Sequence, residues 1–206
     1  MTTAFATESR AARRSPARLG AEEVTSLASA AAAGDQRAWE QLVEEFSGLV
    51  WAVTRAHRLS RSDAADVAQT TWLRLVEHIG RVQDPGRLGA WLATTARREC
   101  LRLVRTAART VPADHEVLER EPSDTTVDAD VLLAERDTAL WQAFDRLPAR
   151  DQGLLRLLVA DPTPSYDEIG AALGMPIGSI GPTRARCLER LRREAAVVGV
   201  TDGAVA

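Results

Sequence analysis

Residues 165–193 constrain the fold of this chain most strongly, because they contain the start, stop and turn signals of two successive helices. Ser165 is followed three residues later by Glu168, a spacing that forms a capping box and satisfies backbone amides at a helix start. Gly174 stands where the first helix should end, since glycine readily adopts the left-handed conformation that often follows a helix. A turn over 175–178 leads to the second helix. This pattern predicts a helix-turn-helix.

The second helix of this segment is predicted to begin at Ser179, with Pro182 in its first turn, where a missing amide hydrogen costs little. At about 100° per residue, the inward stripe comprises Ile180, Cys187, Leu188 and Leu191. The opposite, mostly cationic side comprises Ser179, Pro182, Arg186, Arg190 and Arg193. Arginine can grip phosphate or the edge of guanine, so this face favours the major groove of DNA. The alternative is an ordinary solvated amphipathic helix.

Charge is distributed unevenly along the chain, which has 206 residues and a net charge of −3. That net charge argues against a general nucleic-acid coat. However, residues 85–110 contain six arginines and one glutamate, residues 113–137 nine acidic residues and two arginines, and residues 178–194 five arginines and two glutamates. Such alternation is expected where separate segments meet separate partners. We predict an all-α chain with two small helical domains.

Metal, disulfide and membrane chemistry are not indicated by the sequence. Cys100 and Cys187 are far apart, and the three histidines lack metal-ligand spacing. Without a glycine-rich phosphate loop or a nucleophile motif, we expect neither an enzyme nor a bound cofactor. Two cysteines without a disulfide framework fit a reducing cytoplasm, so a cytoplasmic location is predicted. No apolar run approaches the roughly 20 residues of a membrane span. Residues 1–20 resemble a transit peptide in composition, although a disordered tail is the commoner explanation.

The N-terminal part of the chain is predicted to form amphipathic helices. Asp35 should cap one helix with a strongly apolar face, and Ser62 or Asp63 should cap the next. One stripe of that next helix comprises Val67, Thr71, Leu75 and Ile79. Its other side comprises Asp66, Gln69, Thr70, Trp72 and Leu73. A polar surface with an apolar anchor suits a protein partner, although Trp72 could equally pack against a neighbouring helix.

A long helix is predicted from about Leu88 to Arg105, after the break at Pro85 and Gly86. Its surface arginines include Arg97, Arg98 and Arg102, with Trp91 near the start. Arginines neutralise phosphates and an aromatic ring stacks on an unpaired base, so the combination suits single-stranded DNA. The alternative role for Trp91 is core packing.

The remaining organisation follows from composition and periodicity. Residues 111–130 contain two prolines, many acids and no apolar period, and are predicted to form a flexible linker. Helical periodicity resumes near Val131 and includes a very apolar helix with Leu154, Leu155, Leu157 and Leu158. This helix should support the helix-turn-helix, and residues 197–206 should form a tail.

With these parts in order, the chain resembles an extracytoplasmic-function (ECF) sigma factor, the compact branch of the sigma-70 family. The resemblance rests on residues 62–79, which are similar to the family's polymerase-docking helix, on residues 88–105 and on residues 147–193. It implies a region 2-like domain over 21–110 and a region 4-like domain over 131–196. It also implies core RNA polymerase and promoter DNA as partners, with an anti-sigma factor as a further candidate.

By position, the resemblance assigns site residues to three functions. The implied polymerase contacts, made to the largest-subunit clamp coiled coil, are Asp66, Gln69, Trp72 and Leu73. The implied contacts to the melted −10 element are Trp91, Arg97, Arg98 and Arg102. The implied contacts to the −35 element are Ser179, Pro182, Thr183, Arg186 and Arg190. The C-terminal domain is also expected to seat on the polymerase flap, and the acidic linker to thread through a cationic channel.

Two departures from the family pattern affect these expectations. Where family members commonly have a basic residue, a small polar residue and an arginine, this chain has Gly181, Pro182 and Thr183. The resemblance therefore does not predict which −35 sequence the chain prefers. Glu99 is unexpected beside DNA and is expected to orient a neighbouring arginine. The alternative function is a helix-turn-helix regulator that binds palindromic duplex DNA without polymerase.

Overall fold

The computed structural model describes residues 18–110 and 131–197, and this part of the chain is helical without strands. The predicted linker at 111–130, residues 1–17 and residues 198–206 lie outside the described residues. The first half comprises α1 (Ala21–Ala32), α2 (Gln36–Ala56), α3 (Arg61–His78) and α4 (Leu88–Thr110), with short 3-10 turns at Ile79–Arg81 and Pro85–Arg87. The second half comprises α5 (Val131–Asp145), α6 (Ala149–Leu158), α7 (Tyr166–Leu173) and α8 (Ile177–Val197).

Several helix boundaries are where the local sequence signals predict them. The Asp35 carboxylate accepts hydrogen bonds from the backbone amides of Arg37 and Ala38 and begins α2. Ser165 and Glu168 form the expected capping box at the start of α7. Gly174 ends that helix with φ of 63° and ψ of 46°, the left-handed conformation that glycine adopts without a steric penalty.

Two predicted caps were wrong. Ser60 caps α3, rather than Ser62 or Asp63, because its hydroxyl accepts the amide of Asp63 at 3.2 Å. The second helix of the helix-turn-helix begins at Ile177, and the Ser179 hydroxyl donates back to the Pro176 carbonyl at 2.6 Å. Pro182 therefore lies inside α8 rather than in its first turn, and its ring removes the amide that would bond the carbonyl four residues earlier.

One apolar core runs through both halves of the molecule. In the first half it is built from one face each of α1, α2 and α4 with Leu75 of α3, and in the second half from Phe144 of α5, from α6 and α7 and from the inward stripe of α8. Its fully enclosed members include Leu42, Val53, Leu88, Leu92, Leu154, Leu157, Ile169 and Ile180. The two halves contact each other mainly where α7 lies on α4 and where α6 lies on α2. No helix within residues 18–110 and 131–197 is both long and apolar enough to cross a membrane.

Candidate protein and nucleic-acid interfaces

An exposed stripe runs along α3, opposite the side that packs into the molecule. Thr71 and Leu75 are fully buried, which shows that this side of the helix faces the rest of the molecule. The buried Thr71 hydroxyl is satisfied within the helix, by donating to the Val67 carbonyl at 2.8 Å. The opposite side presents Asp66, Gln69 and the apolar side chains of Leu73 and Val76. Leu73 is 56% exposed and Val76 is 60% exposed. We call Asp66, Gln69, Leu73 and Val76 the docking stripe.

The docking stripe contains one residue that sequence reasoning missed and excludes one that it included. Val76 follows Leu73 by three residues, and that spacing was the available signal. Trp72 is instead half-buried and packs against the core, at the flank of the stripe. The residues have spacings of three, four and three, as in the seam of a coiled coil, so the stripe matches the shape of a partner helix.

The arginines of α4 divide into two groups. At about 100° per residue, Trp91, Arg98 and Arg102 lie within about 40° of one another around the helix axis. Arg98 and Arg102 are exposed, while Trp91 is half-buried against the core. The Arg102 guanidinium donates through Nε to Glu99 Oε2 at 2.7 Å, so Glu99 orients a neighbouring arginine as expected.

Arg97 belongs to the other group, because it points at the helix-turn-helix rather than at solvent. Its guanidinium lies against Gly174, where a β-carbon would come within 2.5 Å of Nη2. Arg97 is half-buried in this position. The structure therefore does not bring Arg97 together with Arg98 and Arg102 on one accessible face.

The outward face of α8 is largely accessible. Pro182 and Arg186 are exposed, Ser179 and Thr183 are half-exposed, and Arg186 Nη2 donates to the Thr183 hydroxyl at 3.1 Å. Ile180 and Cys187 are buried on the inner side, so the orientation predicted for this helix is the one observed.

Arg190, by contrast, is engaged within the protein. Its Nη1 forms a short ion pair with Asp151 Oδ2 on α6, and Asp151 is only 9% exposed. Burial, aided by a hydrogen bond to Asp151, raises the pKa of the neighbouring Cys187 thiol to about 11. Sequence reasoning missed Asp151, because its partner Arg190 lies 39 residues away in the sequence and no local pattern links the two. The pair fastens the helix-turn-helix to its supporting helix.

Titratable side chains do not converge elsewhere into a metal-binding arrangement. Among residues 18–110 and 131–197, no group of three or more His, Cys, Asp or Glu side chains could hold a metal ion.

The fold and its exposed surfaces define an all-helical protein of the helix-turn-helix class. Residues 42–110 match the family model for Sigma-70 region 2. The chain is also 30% identical over 181 residues to the ECF RNA polymerase sigma factor SigE of Mycolicibacterium smegmatis, an alignment that covers 83% of this chain and 68% of SigE. The chain belongs to the ECF sigma factors of the sigma-70 family.

Further relatives agree in sequence and in fold. The ECF RNA polymerase sigma factor BldN of Streptomyces coelicolor is 27% identical over 190 residues, covering 88% of this chain and 69% of BldN. CnrH, solved in complex with the cytosolic domain of CnrY, has a TM-score of 0.56 at 23% identity, covering 86% of this chain and 98% of CnrH. The sigma factor RpoE of Bartonella quintana, solved with the anti-sigma factor NepR, has a TM-score of 0.57 at 21% identity, covering 77% and 97%.

Proposed function

We propose that this chain binds core RNA polymerase, directs it to specific promoters and assists DNA melting at initiation, with no catalytic chemistry of its own. Polymerase would supply the phosphoryl transfer. The chain would supply three binding surfaces, which are the docking stripe of α3, the arginine-bearing face of α4 and the outward face of α8.

The single observation that carries this proposal is the docking stripe. Two large apolar side chains, Leu73 and Val76, are more than half exposed on a helix whose other side is fixed in the core. The stripe lies within the residues that match region 2. In a stand-alone regulator the same surface would have to serve as a dimer interface, so the oligomeric state of the purified chain distinguishes the two functions. Its seam-like spacing suits a helical partner such as the clamp coiled coil of the polymerase largest subunit.

The promoter contacts follow from the charge and accessibility of α4 and α8. Arg98 and Arg102 would neutralise phosphates of the melted −10 strand, and the partly exposed ring of Trp91 would contact an unstacked base. Arg97 would join them once the helix-turn-helix moves away. On α8, Ser179, Pro182, Thr183 and Arg186 would meet the −35 element, and Arg190 would contact phosphate only by sharing its guanidinium with Asp151.

An anti-sigma factor is proposed as a further partner. Both structural neighbours described above were solved as complexes, and the partner of one is named as an anti-sigma factor. The exposed apolar groups of the docking stripe would be an effective target, because covering them would block polymerase at the same surface.

Reconstituted run-off transcription tests the proposal. Sigma-free core polymerase, the purified chain and a library of genomic fragments should give transcripts with defined start sites. Leu73→Asp should abolish them by placing a charge in an apolar contact, whereas Glu40→Ala, at an exposed position on α2, should leave them unchanged. The stand-alone regulator predicts the opposite result: a dimer in gel filtration that protects a palindromic duplex from cleavage without polymerase.

A further inference from the structure

Arg18, immediately before α1, connects the two halves of the molecule. Its Nη1 and Nη2 donate to the two carboxylate oxygens of Glu168 at 2.5 and 2.7 Å, and its Nε donates to Glu45 at 3.2 Å. Glu45 is on α2 and Glu168 is on α7, so one guanidinium bridges both halves. A bidentate pair of this kind is stronger and more directional than a single hydrogen bond.

Glu168 depends on this contact because it is only 5% exposed. The same carboxylate accepts the Ser165 amide at 2.7 Å in the capping box, so it serves both a helix start and the contact between halves. The hydrogen bond with Glu168 raises the pKa of Arg18. A buried carboxylate is costly unless it is paired, so separating the halves requires Glu168 to regain water.

A second ion pair crosses the same boundary at Asp167, the residue of α7 that precedes Glu168. Arg87, just before α4, donates through Nε to Asp167 Oδ2 at 3.0 Å and also pairs through Nη2 with Asp167 Oδ1. The Arg87 side chain is 61% exposed, so salt should screen this pair strongly. We call the contacts of Arg18 with Glu45 and Glu168, and of Arg87 with Asp167, the ionic latch.

Between these ion pairs, the halves approach each other at backbone distance. A β-carbon on Gly153 of α6 would lie 3.0 Å from the Ala56 carbonyl oxygen of α2, and one on Gly48 of α2 would lie 3.0 Å from Pro162. Glycine at both positions permits a close contact, which a larger residue could keep only if the Ala56 carbonyl or the Pro162 ring moved by a few tenths of an ångström. The apposition is therefore built into the sequence of both halves.

This apposition is incompatible with simultaneous contact to both promoter elements. By their names the −10 and −35 elements lie about 25 base pairs apart, which is roughly 85 Å of duplex at about 3.4 Å per base pair. Here Arg97 of α4 touches Gly174, three residues before α8 begins.

We infer that the ionic latch holds a closed state in which Arg97 is covered, and that the latch must release before the chain can engage a whole promoter. This inference rests on the proposed function for its biological meaning, but the latch itself can be tested without polymerase. Release would expose Arg97, the docking stripe would keep its place on α3, and α8 would become free to move with its own half.

The test is energy transfer between dyes on the full-length chain, attached at Gln41→Cys on α2 and Glu189→Cys on α8, both exposed positions. The native thiols of Cys100 and Cys187 are buried, which slows their labelling. We expect high transfer in low salt and a partial loss of transfer at about 1 M salt, where the screening length of about 3 Å weakens the exposed pair of Arg87 with Asp167 but much less the pair of Arg18 with the buried Glu168. Arg18→Gln with Arg87→Gln should raise the open-to-closed ratio about five-fold or more at low salt.

Two matched variants separate a latch from a general loss of charge or of folding. Arg37→Gln with Arg81→Gln removes two exposed arginines of the same half and should behave as wild type. Exchanging the charges of the second pair, Arg87→Asp with Asp167→Arg, should restore high transfer relative to Arg87→Asp alone. Equal transfer in wild type and in the Arg18/Arg87 double variant at every salt concentration would overturn the latch, as would failure of the exchange to restore transfer.

Run-off transcription completes the test, with each failure distinguishable. If the latch is inhibitory, the Arg18/Arg87 double variant should initiate about two- to five-fold faster than wild type with core polymerase. An unchanged rate in a variant that is visibly open would overturn the inhibitory role. Absence of transcripts from both proteins would instead count against the proposed function, while the transfer measurement would still decide whether the latch exists.

Discussion

The two cationic helices, α4 and α8, each contain several arginines but differ in how many of those arginines are accessible. On α8 the exposed Pro182 and Arg186 lie on the outward face, and only Arg190 is tied to another helix. On α4 the arginine nearest the C-terminal half, Arg97, is covered by the helix-turn-helix itself. The molecule thus leaves the proposed −35 contacts on α8 mostly accessible and covers one of the proposed −10 contacts on α4. The comparison shows that arginines of one helix can differ in role, because some are exposed and available for binding while others contact a neighbouring helix.

Of the substitutions that test this difference between α4 and α8, Arg190→Ala should have the largest effect, which is on the stability of the fold. Removing the guanidinium leaves Asp151 nearly buried and without its ion-pair partner, which should lower the free energy of unfolding by about 2 kcal/mol. Urea denaturation of the full chain measures the change. Arg193→Ala, at an exposed position three residues further along α8, is the matched control and should be neutral. A stability equal to wild type would contradict the structural role given to the pair of Arg190 with Asp151.

Arg186→Ala should have the complementary effect, on DNA rather than on folding. Its side chain is exposed and bonds only locally, to Thr183, so stability should stay within about 0.5 kcal/mol of wild type. Loss of one arginine contact to the −35 element should weaken promoter binding about ten-fold. Footprints of the reconstituted holoenzyme at constant salt measure this. Equal loss of core binding and of promoter binding would contradict the separation of the two surfaces.

Gly153→Ala should loosen the contact between α2 and α6 without removing any charge. The new methyl group would press on the Ala56 carbonyl and weaken the contact between halves by about 1 kcal/mol. Within α6 alone the same change should favour helix by a similar amount. Amide hydrogen exchange should therefore show faster exchange where α2 meets α6. Gly181→Ala on α8, where a β-carbon would meet open space, should leave this boundary unchanged.

The smallest effect should be a pH dependence from His57, which lies at the same boundary. Its Nε2 is 3.0 Å from the Ala172 carbonyl oxygen of α7, and burial, together with the charge of Arg97, lowers the pKa of His57. A lowered pKa means that the folded chain binds this proton less readily than the unfolded chain, so stability should fall as pH drops below about 6.5. Comparing urea midpoints at about pH 7.5 and about pH 5.5 for wild type and His57→Gln isolates the contribution. An identical pH dependence in the two proteins would show that His57 does not contribute to the loss of stability at low pH.

What the sequence could predict was decided by the distance along the chain between interacting groups. The caps at Asp35 and Ser165 involve partners within three residues, and both were predicted correctly. The inward stripe of α8 also follows from local periodicity. The start of α8 at Ile177 was missed because Ser179 bonds backward to Pro176 instead of capping the helix. The same limitation applies to single arginines. The local sequence does not distinguish Arg97 and Arg190, which contact other helices, from Arg98 and Arg186, which are exposed.

The two-part organisation shows the same limit. Two helical halves with a linker between them follow from composition, but the surface on which they meet depends on contacts between residues far apart in the chain. Arg18 and Glu168 are separated by 150 positions, and no local pattern links them. The docking stripe was predictable in part. The spacing of its residues along α3 can be read from the sequence, whereas their exposure depends on how α3 packs against the other helices. Residue types therefore predicted the classes of surface, and packing determined which residues belong to them.

Run-off transcription with sigma-free core polymerase is the most direct test of whether this chain serves as an initiation factor. We predict that the wild-type chain gives start-site-specific transcripts, and that Leu73→Asp gives none while keeping its fold and its affinity for −35 duplex. Transcripts from Leu73→Asp at the wild-type level would contradict the docking stripe. No transcripts from wild type on any template, together with unaided protection of a palindromic duplex, would contradict the account as a whole.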